Sequence, residues 1–125
     1  MPKICGRLYL VDGDNHVYEG LKGVFNTRKT DSVIVYVTQD GLAKKLRKKY
    51  EERVSVKEVP PGDQAVDNVI KSRMGSEAAL GRYAEVVVLS RDKGYEGQIR
   101  RNLKAGATKF TQAGSISGII MPQRP

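Results

Sequence analysis

Residues 8–16 read Leu8-Tyr9-Leu10-Val11-Asp12-Gly13-Asp14-Asn15-His16, four apolar residues running straight into a turn of acids, glycine and asparagine. An apolar run this short, without alternation, is the mark of a strand buried on both faces, and Asp-Gly is a turn that stops it. The same pattern recurs downstream. Val33-Ile34-Val35-Tyr36-Val37 halts at Thr38-Gln39-Asp40-Gly41, and Val86-Val87-Val88-Leu89 halts at Ser90-Arg91-Asp92. Val54, Val56 and Val59 make a weaker strand ended by Pro60 and Pro61, and Thr108 to Thr111 a fifth. Between these runs the spacing becomes helical: Leu42, Leu46 and Tyr50; then Val66, Val69, Ile70 and Met74; then Tyr95, Ile99 and Leu103, closed by Gly106. Val17, Leu21, Val24 and Phe25 are also helix-like, interrupted by Gly20 and Gly23. Strand and helix alternating along the whole chain predict an α/β three-layer sandwich around a mostly parallel five-stranded sheet. One domain over residues 1–113 is expected, followed by a C-terminal tail over 114–125 in which Ile116, Ile119, Ile120 and Met121 have the composition to pack back.

The chain has 125 residues, with 22 Lys and Arg against 14 Asp and Glu, a formal net charge of +8. A chain of this size buries enough surface to fold without staples. The single cysteine, Cys5, excludes an internal disulfide, and with one histidine, His16, it excludes the thiolate and imidazole clusters of zinc sites. A reducing, cytoplasmic location is expected, and no membrane partner, because no apolar run approaches the ~20 residues of a spanning helix. The positive excess, dense over Lys44, Lys45, Arg47, Lys48, Lys49 and Arg53 and again at Arg100, Arg101 and Lys104, points to a polyanion as partner.

In open α/β sheets ligands bind beyond the carboxyl ends of the strands, where strand order reverses. Asp12 and Asp14 follow the first strand, Asp92 follows the fourth, and Asp67 lies in the first turns of the helix after the third. If the first and fourth strands are neighbours, the four carboxylates meet at one rim. Each also has an ordinary explanation: Asp12 and Asp14 as turn formers, Asp92 as a helix cap, Asp67 as a complement to the helix dipole. Carboxylates crowded together repel unless a cation neutralises them, and an oxygen-only donor set suits Mg²⁺ or Mn²⁺. Such an ion activates water and polarises a phosphoryl oxygen, the chemistry of phosphodiester hydrolysis. Lys71, Arg91 and Lys93 would surround the acids with nucleic-acid-binding charge, with Asn15 and Ser90 in support.

At these residues the sequence resembles the NYN domains of the PIN-like nuclease superfamily. Val11-Asp12-Gly13-Asp14-Asn15 is similar to the opening motif, Val66-Asp67-Asn68-Val69-Ile70 to the central one, and Ser90-Arg91-Asp92-Lys93-Gly94-Tyr95 to the third, in the family's order. The resemblance implies the strand order 3-2-1-4-5 and a metal-dependent ribonuclease with Asp12, Asp14, Asp67 and Asp92 as catalytic and metal-binding residues, cutting single-stranded RNA. Two positions depart from the pattern: Gln64 stands where the family has Lys, and Gly94 where it often has a second Asp. Two other functions compete. A non-catalytic RNA-binding module of the same fold needs the basic surface and no metal. A haloacid dehalogenase-type phosphatase would use Asp12 as nucleophile, Asp14 as acid/base and Thr38 after the second strand, but the few residues between Asp14 and the next helix-like run leave no room for that family's flap, and no acidic pair follows the fourth strand. Oligomeric state stays open, a homodimer included.

Overall fold

The computed structural model describes residues 4–105 and 108–120; Gly106 and the chain from Met121 onward, named in the sequence analysis, lie outside them. Five strands, β1 (Ile4–Asp12), β2 (Ser32–Val37), β3 (Ser55–Glu58), β4 (Tyr83–Leu89) and β5 (Lys109–Ala113), form one all-parallel sheet in the order β3-β2-β1-β4-β5. The helices are α1 (Val17–Gly20), α2 (Asp40–Tyr50), α3 (Ala65–Leu80), α4 (Glu96–Ala105) and α5 (Ser117–Ile120).

Alternate side chains of each strand face opposite ways, so every strand feeds two cores. Tyr9, Val11, Val33, Val35, Val37, Val87 and Leu89 pack with Val17, Leu21, Ala43, Leu46 and Ile116 on one face. Leu8, Leu10, Ile34, Tyr36, Val86, Val88 and Phe110 pack with Val66, Ile70, Met74 and Tyr95 on the other. Helices therefore cover both faces, giving three layers, and two-sided burial is why the strands are written almost wholly in apolar residues.

The helix expected between the first two strands is broken into α1 and a single 3₁₀ turn at Val24–Asn26, with Gly23 between them at φ +96. A left-handed backbone is inexpensive for glycine and ends the helical run. The segment from residue 114 is docked as far as Ile120: Ile116 is fully buried, its N–H donates to the Gly20 carbonyl at 3.0 Å, and the Ser117 N–H donates to that of Lys22 at 2.7 Å. Glu77, on α3, is buried to 1% exposure and held by Arg73 at 2.8 Å and Arg82 at 2.6 Å. Among the described residues no helix is long and apolar enough to cross a membrane.

Gly13 is required for space. A Cβ there would lie 2.3 Å from Val37 Cγ1 and 2.6 Å from the Tyr36 carbonyl oxygen, the same oxygen that accepts the Gly13 N–H at 2.8 Å. Gly13→Ala should therefore destabilise by about 3 kcal/mol, at the costly end of overpacking because backbone must move. Gly75, inside α3 with nothing within 4 Å of its Cβ position, should behave oppositely. Gly75→Ala should stabilise by about 1 kcal/mol through helix propensity, and urea unfolding of the two variants measures both effects.

Candidate active site

The chain leaves β1 through α1 toward β2 and leaves β4 through α4 toward β5, so the connections diverge above the β1/β4 pair and open a crevice at its carboxyl end. Asp12 is the last residue of β1, and Ser90 directly follows β4, whose Leu89 pairs with Val11. Asp67 enters from the first turn of α3, and Asp92 from the loop ahead of α4. A cleft of about 330 Å³ is lined by Asp12, Asp14 and Asp67 together with Asn15, Thr38 and Gln64.

Asp12 is the electrostatic centre of this rim. It is 6% exposed, at the end of a strand whose preceding four residues are fully buried. Burial pushes its pKa up to about 6, and the charges of Asp67 and Asp14 push the same way, against the Asp14 N–H that donates to Oδ1 at 3.3 Å. Ser90 Oγ lies 3.5 Å from its other oxygen. Asp12 is thus a carboxyl that changes charge just below neutral pH.

Asp67 accepts a hydrogen bond of 2.7 Å from the hydroxyl of Tyr95, a ring that is fully buried. Burial and the neighbouring Asp67 raise the phenol's pKa, so it stays a donor and orients the carboxylate. Asp92 behaves differently from Asp12. Its Oδ1 accepts the Gly94 N–H at 2.9 Å, and that bond, with the charge of Lys71, holds its pKa below the ordinary aspartate range. The loop carrying it is clamped from β5: the Gln112 amide donates to the carbonyls of Ser90 at 2.8 Å and Asp92 at 2.6 Å. Ser90 Oγ accepts the Asp92 N–H at 3.1 Å, so one hydroxyl stands between Asp12 and Asp92.

Asp14, lining the same cleft, is engaged by Thr38. Its two oxygens accept the Thr38 N–H at 3.0 Å and the Thr38 hydroxyl at 2.7 Å, tying the turn after β1 to the end of β2. Arg91 forms an ion pair with Glu19 of α1, Lys71 stands 5.7 Å from the centroid of the Tyr95 ring, and Lys93 lines a second cleft of about 690 Å³ with Arg91, Arg100 and Gln112. Gln64 heads α3 in a left-handed conformation and makes no side-chain cap. Among the described residues no three acidic, histidine or cysteine side chains are gathered closely enough to hold one metal ion. Tyr95 and Gln112 are the participants that sequence reasoning did not assign to this rim, and it brought Thr38 there only under the phosphatase reading. Tyr95 reads as an apolar helix position, and nothing local marks a threonine or a glutamine as a partner of residues more than 20 positions away.

Chemically the rim offers hard oxygen donors at two different acidities and a fixed phenol donor. It repels a bare pyrophosphate: the turn after β1 carries Asp12 and Asp14 where dinucleotide-binding sheets carry a glycine-rich phosphate cradle.

The raised pKa of Asp12 has a consequence for stability. A carboxyl titrating near ~3.9 unfolded and about 6 folded contributes stability that is fully present at low pH and lost as pH rises through 6. Metal-free Asp12→Asn should therefore be more stable than wild type by roughly 2–3 kcal/mol at pH 8, an advantage that shrinks as pH falls and disappears near pH ~4. Denaturant melts of both proteins across this range check the sign.

No family model matches the chain, and no curated protein matches it. Among solved structures, a short-chain dehydrogenase/reductase from Saccharomyces cerevisiae is similar at TM-score 0.43 and 23% identity, over 68% of this chain and 34% of that one. The chain thus spans about a third of that protein's length.

Proposed function

We propose that the protein is a metal-dependent ribonuclease that hydrolyses phosphodiester bonds of single-stranded RNA at the rim of Asp12, Asp67 and Asp92. The observation that carries this reading is the buried Asp12, raised to about 6, with the carboxylate of Asp67 beside it in a chain of net charge +8. A basic protein that spends stability on crowding carboxylates at a sheet switch point has a site for a cation, and the cation for an oxygen-only set is Mg²⁺ or Mn²⁺. Such ions keep most of their waters and need only one or two direct carboxylates, which Asp12 and Asp67 would supply. When bound, the ion supplies an acidified water and a Lewis acid for the phosphoryl oxygen.

The chain's own residues divide the remaining work. Tyr95 fixes the direction of Asp67, the Gly94 N–H fixes that of Asp92, which stays ionised, and Ser90 holds the Asp92 backbone. Lys71, Lys93 and Arg91 attract the strand's phosphates, Arg91 after exchanging Glu19 for a phosphate. Asp14 ties the loop to Thr38 and sits outside the reacting group. The reading takes RNA as the partner, in the cytoplasm. The hydrogen bonds already engaging Asp14, Asp67 and Asp92 within the protein favour a second reading, an RNA-binding module of the same fold without catalysis.

A cleavage assay on labelled single-stranded RNA with Mn²⁺, with Mg²⁺ and with chelator separates the two. Asp12→Asn should reduce metal-dependent cleavage about 100-fold or more, while Asp14→Asn should cut within a few fold of wild type and lose about 1 kcal/mol of stability. Retained binding with no cutting under any metal selects the module. In either case affinity should fall with salt by ~0.7 log units per log unit for each neutralised phosphate, and a flat response removes RNA as the partner.

A further inference from the structure

On the sheet face opposite α3 and α4, aromatic rings and cations stand together. Phe25 is 61% exposed and Tyr18 is 46% exposed, the two most open aromatic rings among the described residues. Phe25 stacks on Tyr50, centroids 5.9 Å apart at 30°, leaving its outer face to solvent. The ammonium of Lys49 stands 4.8 Å from the Tyr18 centroid and 5.6 Å from that of Tyr50, so the strip Tyr18, Lys49, Tyr50, Phe25 is continuous. Its far end is fastened: Arg53 donates to the Phe25 carbonyl at 2.9 Å and to that of Thr27 at 3.3 Å. Lys45, one helical turn before Lys49, and Lys48 are exposed beside it.

A single exposed ring on a protein surface needs no explanation. An open ring against a lysine, joined through Tyr50 to a second open ring, with further exposed cations on the same helix, matches a ligand that alternates flat faces with negative charges. Every base has a π-face for Phe25 and Tyr18, and each linking phosphate meets an ammonium. A buried apolar partner would leave Lys45, Lys48, Lys49 and Arg53 to be desolvated without counter-charge. We infer that the strip formed by Tyr18, Phe25 and Lys49 is a stacking platform for single-stranded nucleic acid, separate from the acidic rim and requiring no metal. Stacking reads no base edge, so the platform tolerates any sequence.

The test uses the whole protein and a fluorescein-labelled oligouridylate of about 20 nucleotides, titrated in chelator so that nothing is cut. Phe25→Ala and Tyr18→Ala should each weaken binding about fivefold or more, and Lys49→Glu should weaken it and flatten its salt dependence. Phe25→Trp should bind as wild type while Phe25→Leu should not, which separates stacking from mere apolarity. Circular dichroism and melting temperature of every variant verify folding; a variant that does not fold is replaced by its partner substitution at the same position. Unchanged affinity in Phe25→Leu and Lys49→Glu overturns the inference. So does self-association, seen by sedimentation, that Phe25→Ala abolishes without altering affinity, because the strip is then a contact between copies of this chain. Loss of affinity in the Phe25 and Lys49 variants of a protein that never cleaves would retire the nuclease reading and leave the platform standing.

Discussion

The burial of β1 governs this molecule. The strand is bonded along both edges to β2 and β4 and covered on both faces, and Leu8 through Val11 have no exposed surface at all. A strand in that position can carry a polar side chain only where its apolar surroundings stop, at its carboxyl end, and there the chain places Asp12. The layers above and below must close over the sheet but diverge beyond the β1/β4 pair, because one connection departs toward β2 and the other toward β5. Asp12 is consequently neither in water nor in the core. That half-dry position raises its pKa to about 6 and makes its ionisation costly.

The carboxylates of the rim are alike in sequence and unlike in acidity because burial and hydrogen-bond donors are distributed unequally among them. Asp12 has little water and weak donors, so its proton is held. Asp92 has a backbone N–H and the field of Lys71, so its proton is lost. Carboxyls of divergent acidity at one end of a sheet are an arrangement that acid-base chemistry and cation binding both exploit. The contrast with Glu77 is instructive. That carboxylate is more deeply buried than Asp12, yet Arg73 and Arg82 meet it directly and hold its pKa below the usual glutamate range. Glu77 is a closed ion cluster, whereas among the described residues no cation stands against Asp12.

The positive charge lies around that acidic centre and behind it. Arg91 and Lys93 stand at the second cleft, and the lysines of α2 lie on the opposite face. A field of this sign draws in a polyanion over distances of about a Debye length, ~8–10 Å at physiological salt, and leaves local contacts to decide where it rests.

Much of this was legible in the linear chain. The strand cores, the three long helices and the parallel architecture follow from apolar runs too short and too continuous to be anything but two-sided strands, with helical spacing between them. The rim location of Asp12, Asp67 and Asp92 follows from the rule that such turns lie at the carboxyl ends of strands. The helix after β1 is broken because Gly23 admits a left-handed turn that spacing alone does not reveal. Side-chain direction was beyond the sequence altogether. That Asp14 accepts from Thr38, that Tyr95 turns its hydroxyl to Asp67 and that Gln112 clamps the Asp92 loop all depend on which residues the sheet register and helix packing bring within 3 Å or so of one another. Periodicity is a property of neighbours along the chain and survives in the sequence. Hydrogen-bond partners 20 to 30 residues apart are set only when the layers close, because a shift of one residue in register would point each of those groups at a different neighbour.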